Sequence, residues 1–152
     1  MDLILWRHAE AVEGQPGEDL ARKLTSKGER QAERMAEWLN RRLAHSTKIL
    51  VSPAVRCQET AKALGRKFRT VDELAPGASA QEVLDVAKWP EASNAVLIVG
   101  HQPTLGETAA LLLSGSDAPW GMRKAAVWWL SNRSREQGAD VVLKAVIGPD
   151  FL

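Results

Sequence analysis

Short unbroken runs of apolar residues alternate along this chain with stretches in which apolar residues recur every three or four positions. Such runs are typical of strands buried on both faces of a sheet, and the wider spacing predicts amphipathic helices. The runs predict strands at 2–7, 48–52, 68–71, 94–100, 125–132 and 140–148. The three- to four-residue spacing, together with capping residues, prolines and glycines at the ends, predicts helices at 26–43, 53–65, 79–88 and 103–115.

The order of these elements predicts the fold class. Strands and helices mostly alternate, which favours a parallel sheet with helices on both faces. The last two strands flank a polar turn at 133–138 and predict an antiparallel hairpin. We therefore expect an α/β fold, a three-layer α/β/α sandwich with a mostly parallel central sheet and an antiparallel C-terminal hairpin. With 152 residues, the chain fits a single domain spanning 1–152.

A long segment without periodicity, 9–24, separates the first strand from the first helix. Loops of this length in a compact domain are usually functional. Thr25 or Ser26 can cap the helix that follows, and Glu29 completes a capping box with Ser26. Pro53 directly follows Ser52 and predicts the first helical position after a serine N-cap.

Cationic and imidazole side chains stand where three of the predicted strands end. Arg7 and His8 follow the first strand, Arg56 lies in the opening turn of the helix after the second, and His101 follows the fourth. Parallel strands joined by crossover helices place their carboxyl ends at one edge, where ligands bind. Two arginines and two helix N-termini facing two imidazoles predict a site for a multiply charged anion such as phosphate.

Composition and charge narrow the classes of function. The chain is 45% hydrophobic and 26% charged, with a formal net charge of +1. This balance gives no support for nucleic acid or a membrane surface as a partner, and the longest apolar runs are too short to span a bilayer. The start of the chain carries no basic region and no cleavage site, so we expect no signal peptide. The single cysteine, Cys57, fits a reducing, cytoplasmic compartment.

The sequence lacks the motifs that several other classes of enzyme require. Three histidines without paired carboxylate spacing do not predict a metal site, and one cysteine excludes a multi-cysteine zinc site. A cysteine phosphatase needs an arginine six positions after its cysteine, where this chain has Ala63 after Cys57. The sequence contains no Walker loop, no dinucleotide glycine pattern and no G-x-S-x-G serine motif.

Four motifs resemble the histidine phosphatase superfamily, which also contains the phosphoglycerate mutases. They are RHAEA at 7–11, LTSKGERQA at 24–32, SPAVRCQETA at 52–61 and VGHQPTLGETAALLLSG at 99–115. Within that family the small, uncapped SixA-type phosphohistidine phosphatases are the most similar, and RKAAVWWL at 123–130 also fits that type. The likeness covers nearly the whole chain in the same order.

The resemblance implies a role for each of the four residues at the strand ends. His8 matches the family's nucleophile, and Arg7, Arg56 and His101 match the rest of its phosphate pocket. The flanking arginines are expected to lower the pKa of His8, so that it is unprotonated near neutral pH. The family's chemistry needs no metal and no cofactor. Larger relatives insert a cap between the positions of Arg56 and His101, and this chain has no such insertion, so we expect no cap domain.

The residue that supplies a proton to the leaving group is left open by the sequence. Asp19 and Glu10, in the long loop beside His8, are the candidates for a general acid. Arg22 stands where SixA-type proteins have an arginine before the LT pair, and it is a candidate substrate-binding residue. The chain departs from the family at Ala9, where many members have glycine, and at Lys23, which replaces a common proline.

Three hypotheses of function follow. The first is a metal-independent phosphatase that works through phospho-His8 on phosphohistidine in a protein. The second is the same chemistry on a small phosphomonoester, and a mutase is less favoured because nothing would hold a reoriented intermediate. The third is an inactive phosphate-sensing or interaction module. The expected partners are a phosphohistidine-bearing protein or a small phosphorylated substrate, with phosphate-like anions as ligands; we expect a monomer.

Overall fold

The computed structural model describes residues 1–133 and 140–152. Within these ranges the strands are β1 (Asp2–Arg7), β2 (Lys48–Val51), β3 (Arg69–Thr70), β4 (Val96–Gly100), β5 (Val127–Asn132) and β6 (Val141–Ile147). The α-helices are α1 (Ser26–Asn40), α2 (Val55–Lys62), α3 (Ala80–Ala87) and α4 (Thr104–Ser114). Short 3₁₀ turns lie at Asp19–Ala21, Asp72–Leu74 and Pro149–Phe151.

The strands form one mixed sheet in the order β3-β2-β4-β1-β5-β6. The first four strands in this order are parallel, β5 runs antiparallel to β1, and β6 runs antiparallel to β5. This arrangement confirms the predicted α/β fold with a mostly parallel sheet and an antiparallel final pair. The predicted polar turn at 133–138 lies, apart from its first residue, outside the described residues.

Helices cover both faces of the sheet because the central strands are apolar on both faces. Along β1, Ile4 and Trp6 pack with the core beneath α1 and α2, whereas Leu3 and Leu5 pack with the core beneath α3 and α4. Successive strand residues point to opposite faces, so a strand covered on both sides needs an unbroken apolar run. The structure is therefore the three-layer sandwich that the pattern predicts.

The chain between Arg56 and His101 is compact. It contains the rest of α2, β3, a 3₁₀ turn, α3 and β4, all of them part of the sandwich. No cap is inserted there, as expected. Within the part of the chain that the structure describes, no helix is both long and apolar enough to cross a membrane.

The predicted start of the first helix is confirmed, although not its capping box, and the predicted start of the second is wrong. Thr25, rather than Ser26, caps α1, and its side chain accepts a hydrogen bond from the Gly28 N–H at 2.9 Å, so the predicted Ser26 capping box is not the cap that forms. Helix α2 begins two residues later than predicted, with Ala54 as its N-cap. The hydroxyl of Ser52 accepts a hydrogen bond from the Ala54 N–H and also contacts the ring of His101.

Other boundaries differ because local geometry ends an element early. Helix α1 ends at Asn40, three residues before the predicted end, although Leu43 is still buried in the core. Strand β5 begins at Val127 because Ala125 has a left-handed backbone with φ of 63°, which a strand cannot contain. The loop 9–24 is not structureless, since it contains a 3₁₀ turn and a bridge between Ala11 and Leu24.

Candidate active site

The carboxyl ends of β1, β2 and β4 meet at one edge of the sheet, and the four predicted pocket residues come together there. The rings of His8 and His101 have centroids 5.4 Å apart. Arg56 reaches the same point from the first turn of α2, with its Nη2 3.4 Å from Nδ1 of His101. Arg7 ends β1 beside His8. The topology thus explains how His8, Arg56 and His101, which lie at least 45 positions apart in the chain, share one site.

His8 is held in one tautomer by the backbone. Its side chain is nearly buried, and its Nδ1 lies 2.7 Å from the carbonyl oxygen of Ala9. A carbonyl oxygen can only accept, so Nδ1 carries the proton and the lone pair is on Nε2. Backbone hydrogen bonds from the His8 N–H to Gly100 and from the Ala125 N–H to His8 fix the position of the residue.

The pKa of His8 is lowered to about 4, chiefly by burial and further by the positive charges of Arg56 and Arg7. The direction is the one that the sequence predicts. The main cause is different, because removal of the imidazole from water counts for more than the neighbouring arginines. At neutral pH the ring is therefore uncharged and its Nε2 carries a lone pair.

His101 is fixed through both ring nitrogens. Its Nε2 lies 2.7 Å from Oγ of Ser52, and its Nδ1 faces the guanidinium of Arg56. A guanidinium can only donate, so Nδ1 accepts and the Nε2–H donates to the serine. Burial first, and then the neighbouring His8 and Arg56, lower the pKa of His101 to about 3. Both imidazoles are therefore neutral in this pocket.

The two arginines present unpaired donors. Arg56 is 4% exposed, and it donates from Nη1 to the Asp19 carbonyl at 2.7 Å and from Nη2 to the Asp19 carboxylate at 3.1 Å. Arg7 donates from Nη1 to the Met122 carbonyl at 2.7 Å. In the described part of the chain, the Nε atoms of both arginines are buried without a hydrogen-bond partner. The guanidinium groups of both arginines are the kind of charged donors that an oxyanion at this edge of the sheet requires.

Asp19 and Arg22 lie together at the rim. The Asp19 carboxylate pairs with Nη1 of Arg22 at 3.1 Å as well as with Arg56. Arg22 also donates to the Val12 carbonyl at 2.7 Å, and its charge contributes to the lowered pKa of His8, so it belongs to the edge of the pocket. Hydrogen bonds from Arg22 and then Arg56 hold the pKa of Asp19 below its usual value, so this carboxyl is ionised at neutral pH.

Glu10, the other candidate acid, is turned toward α1. Its carboxylate accepts a hydrogen bond from the Thr25 hydroxyl at 2.8 Å, and its backbone N–H donates to the Gln31 side chain at 3.0 Å. The structure therefore places Asp19 against the pocket arginines and Glu10 against the start of α1.

Two hydroxyl residues that the sequence did not assign to the site, Ser52 and Thr60, hold it together. Ser52 orients the His101 ring, as described above. Thr60 accepts a hydrogen bond from the Ala9 N–H at 3.1 Å and donates to the Arg56 carbonyl at 2.7 Å, so it joins the His8 loop to α2. Both lie in the motif at 52–61, and that was the only signal in the sequence that could have identified them.

Cys57 lies beneath the imidazole of His101, with its Sγ 3.5 Å from Nε2. The side chain is fully buried, and burial raises the pKa of the thiol to about 12. A neutral thiol of this kind packs as a small apolar group and is a poor nucleophile.

Comparisons with known proteins agree with this geometry. The family model described as histidine phosphatase superfamily (branch 1) matches residues 3–79. A phosphohistidine phosphatase SixA homolog of Haemophilus influenzae is 35% identical over 127 residues, which are 74% of this chain and 77% of that protein. The SixA phosphohistidine phosphatase of Escherichia coli is 28% identical over 127 residues, 78% of each chain.

Solved structures extend the likeness to the whole fold. A SixA-type protein from Nakamurella multipartitia superposes with a TM-score of 0.80 at 29% identity, covering 97% of this chain and 95% of that one. The histidine phosphatase SixA in complex with tungstate has a TM-score of 0.79 at 22% identity, with 99% of each chain covered. From its motifs, its pocket and these relatives, the chain belongs to the histidine phosphatase superfamily and is a phosphatase of that family.

Proposed function

We propose that this protein is a metal-independent phosphohistidine phosphatase that accepts the phosphoryl group of a protein substrate on Nε2 of His8. One observation carries the proposal: His8 is a neutral imidazole whose Nδ1–H is held by the Ala9 carbonyl, and it lies beside Arg7 and Arg56, whose Nε atoms have no hydrogen-bond partner among the described residues. This combination provides a nucleophile and an oxyanion pocket in one place.

In the first step, the lone pair on Nε2 attacks phosphorus in line. The P–N bond of the substrate breaks and its electron pair passes to the leaving imidazole, which departs as a neutral ring because its other nitrogen carries a proton. Arg7 and Arg56 stabilise the charge on the three equatorial oxygens. The Ala9 carbonyl stabilises the positive charge that develops on the His8 ring through the Nδ1–H bond. Arg22 is placed to add a third donor at the rim.

In the second step, water attacks the phosphorus of phospho-His8. The P–N bond to Nε2 breaks, its electron pair returns to the ring, and inorganic phosphate leaves with the oxygen of the water. Bound phosphate brings negative charge next to His101 and favours protonation of its ring, which converts Nδ1 into a further donor. His101 is thus proposed to respond to the charge of the bound phosphoryl group.

Metal independence is supported by the charge of the pocket. Arg7, Arg56 and Arg22 carry three positive charges, Asp19 carries one negative charge, and the two imidazoles are neutral. The excess of positive charge in the pocket equals the negative charge of a phosphate dianion. Arginines therefore occupy the role that Mg²⁺ has in many phosphoryl transferases.

A protein substrate is supported by the absence of a cap between Arg56 and His101, because an open site admits a histidine on the surface of another protein. The ionised state of Asp19 supports a P–N bond over an ester, since an imidazole leaves readily once protonated and depends less on a strong general acid. The names of the SixA relatives agree with this substrate class.

The second candidate, a small phosphomonoester, is favoured by the position of Asp19 against Arg56 at the pocket. An ester leaving group requires a proton donor, so Asp19→Asn would then lower kcat by ~10²-fold on the best ester. On a phosphohistidine substrate, we expect the same variant to retain most of its activity. Comparison of kcat on both substrates distinguishes the two candidates.

The proposal is tested by trapping the intermediate. We expect wild-type protein that is quenched at alkaline pH during turnover of a ³²P-phosphohistidine protein to carry acid-labile label on His8, and His8→Ala to carry none and to lack activity. EDTA should leave the rate unchanged. Label on another residue, full activity in His8→Ala, or a strict requirement for a divalent metal would each contradict the mechanism.

A further inference from the structure

We propose that a groove beside the catalytic pocket docks the acidic, partly apolar surface that surrounds the phosphohistidine of the substrate protein. The groove has a volume of about 500 Å³ and runs between the start of α1, the segment 121–126 and the end of the chain. We call it the basic groove. The inference rests on the proposed function and names the surface that would select a protein substrate.

The basic groove is continuous with the catalytic pocket. Arg7 belongs to both, because it is one of the residues that line the groove and its charge acts on His8 and His101. Lys124 precedes Ala125, whose N–H donates to the His8 carbonyl at 3.0 Å. Lys27 lies in the first turn of α1, directly before Gly28, which packs against the backbone of Glu10. A protein that places a histidine at His8 therefore meets this groove next.

The charge of the groove is predominantly positive. Its ionisable lining residues are Arg7, Lys27, Arg123 and Lys124 against Glu10 and Asp150. Asp150 is already paired with Arg123 at 3.4 Å, and Glu10 accepts the hydroxyl of Thr25. Lys27 and Lys124 are exposed, and neither takes part in an ion pair within the described residues. Since the whole chain has a net charge of only +1, this is a local excess that complements an acidic partner.

The far wall of the groove is apolar. Phe151 is 83% exposed and Val146 is 50% exposed, and both line it together with Pro149. Exposed apolar side chains beside unpaired lysines are typical of a protein interface rather than of a subsite for a small phosphate ester. The combination fits a folded partner that presents acidic residues and an apolar patch next to its phosphorylated histidine.

The opposite rim of the pocket is less suited to docking. Arg22 is engaged by the Asp19 carboxylate and the Val12 carbonyl, so its guanidinium is committed to the site itself. Charge reversal in the basic groove should therefore affect a protein substrate without altering the pocket.

The experiment compares one protein substrate with one small substrate. Lys27→Glu, Lys124→Glu and the double variant are assayed on a histidine phosphotransfer domain phosphorylated on its histidine and on free N-phosphohistidine. Lys67→Glu is the matched control, since Lys67 is an exposed lysine that precedes β3 at the opposite edge of the sheet. We expect the double variant to lose at least about tenfold in kcat/KM on the domain, mainly through KM, and to change less than about twofold on free phosphohistidine.

Salt and Phe151 provide further readouts. The difference between wild type and the double variant should shrink at high ionic strength, and Phe151→Ala should weaken action on the domain alone. Equal loss on both substrates, no loss on the domain, or the same loss in Lys67→Glu would overturn the docking surface. A wild-type protein that cleaves free phosphohistidine but not the domain would also overturn it. A wild-type protein that cleaves neither would instead overturn the proposed function.

Discussion

At the scale of single residues, the pocket already contains an anion of its own. The carboxylate of Asp19 lies 3.1 Å from Nη2 of Arg56 and 3.1 Å from Nη1 of Arg22. A bound phosphoryl group needs the same guanidinium groups. Its negative charge would therefore lie close to that of the Asp19 carboxylate, and the two anions would repel each other. Asp19 is therefore expected to oppose tight binding of phosphate, which favours release of the product.

We predict that Asp19→Asn binds tungstate more tightly, by roughly three- to tenfold, because the competing negative charge is removed while the side chain keeps its shape. Isothermal titration calorimetry measures the affinity. Glu18→Gln is the matched control, with the same charge change on the exposed neighbouring residue, and it should leave the affinity unchanged. Unchanged or weaker binding in Asp19→Asn would show that the carboxylate does not compete.

At the scale of elements, two helices approach the loops of the site so closely that only glycine fits at the contact. A Cβ on Gly28 of α1 would collide with the carbonyl oxygen of Glu10, and a Cβ on Gly106 of α4 would collide with that of Trp120. Both glycines lie in the motifs at 24–32 and 99–115. They allow the helices to pack against the loops that flank the strand ends.

We predict that Gly28→Ala destabilises the protein by about 1–3 kcal/mol, although alanine is the better helix former by about 1 kcal/mol. The added methyl group must displace the backbone of the loop that follows His8, so activity should fall as well. Urea unfolding and the rate on free phosphohistidine measure the two effects. Gly121→Ala is the control, because a Cβ there meets no atom within 4 Å. A stabilised Gly28→Ala variant would contradict the close contact.

At the scale of the whole molecule, the pocket makes the stability of the fold depend on pH. The pKa values of His8 and His101 are lowered in the folded protein to about 4 and about 3, from an ordinary value of 6.5. At pH values between the lowered pKa values and 6.5, the unfolded chain binds more protons than the folded one. Stability therefore falls as the pH decreases from about 6.5 toward 4, and it is not reduced by these groups above pH 6.5.

We predict that the free energy of unfolding decreases by a few kcal/mol between pH 6.5 and pH 4, and that His8→Gln flattens this part of the curve. Urea unfolding at a series of pH values measures both. His45→Gln, a change of the exposed histidine between α1 and β2, is the control and should follow the wild-type curve. If His8→Gln shows the same dependence as wild type, the neutral buried state assigned to His8 is wrong.

The layers of the fold and the edge of the sheet that carries the site could be predicted from the order of apolar and polar residues. Unbroken apolar runs such as 3–6 and 95–99 predict strands covered on both faces, and parallel crossovers bring their carboxyl ends together. His8, Arg56 and His101 stand directly after such strands or in the next helical turn, so their meeting follows from the topology. The resemblance of the motifs to a known family then supplied the chemistry.

The hydrogen-bond partners of these groups could not be predicted, because most of them come from distant segments of the chain. The tautomer of His101 depends on Ser52 and Arg56, and the ionised state of Asp19 depends on Arg22 and Arg56. Each of these polar side chains has many possible partners, and the chain packing selects one of them. The predicted start of α2 is wrong for the same reason. The hydroxyl of Ser52 bonds to the ring of His101, 49 positions away, as well as to the start of its own helix. The local pattern of apolar and polar residues determines which residues are buried. Hydrogen bonds between distant segments determine the charge and orientation of the polar side chains in the site.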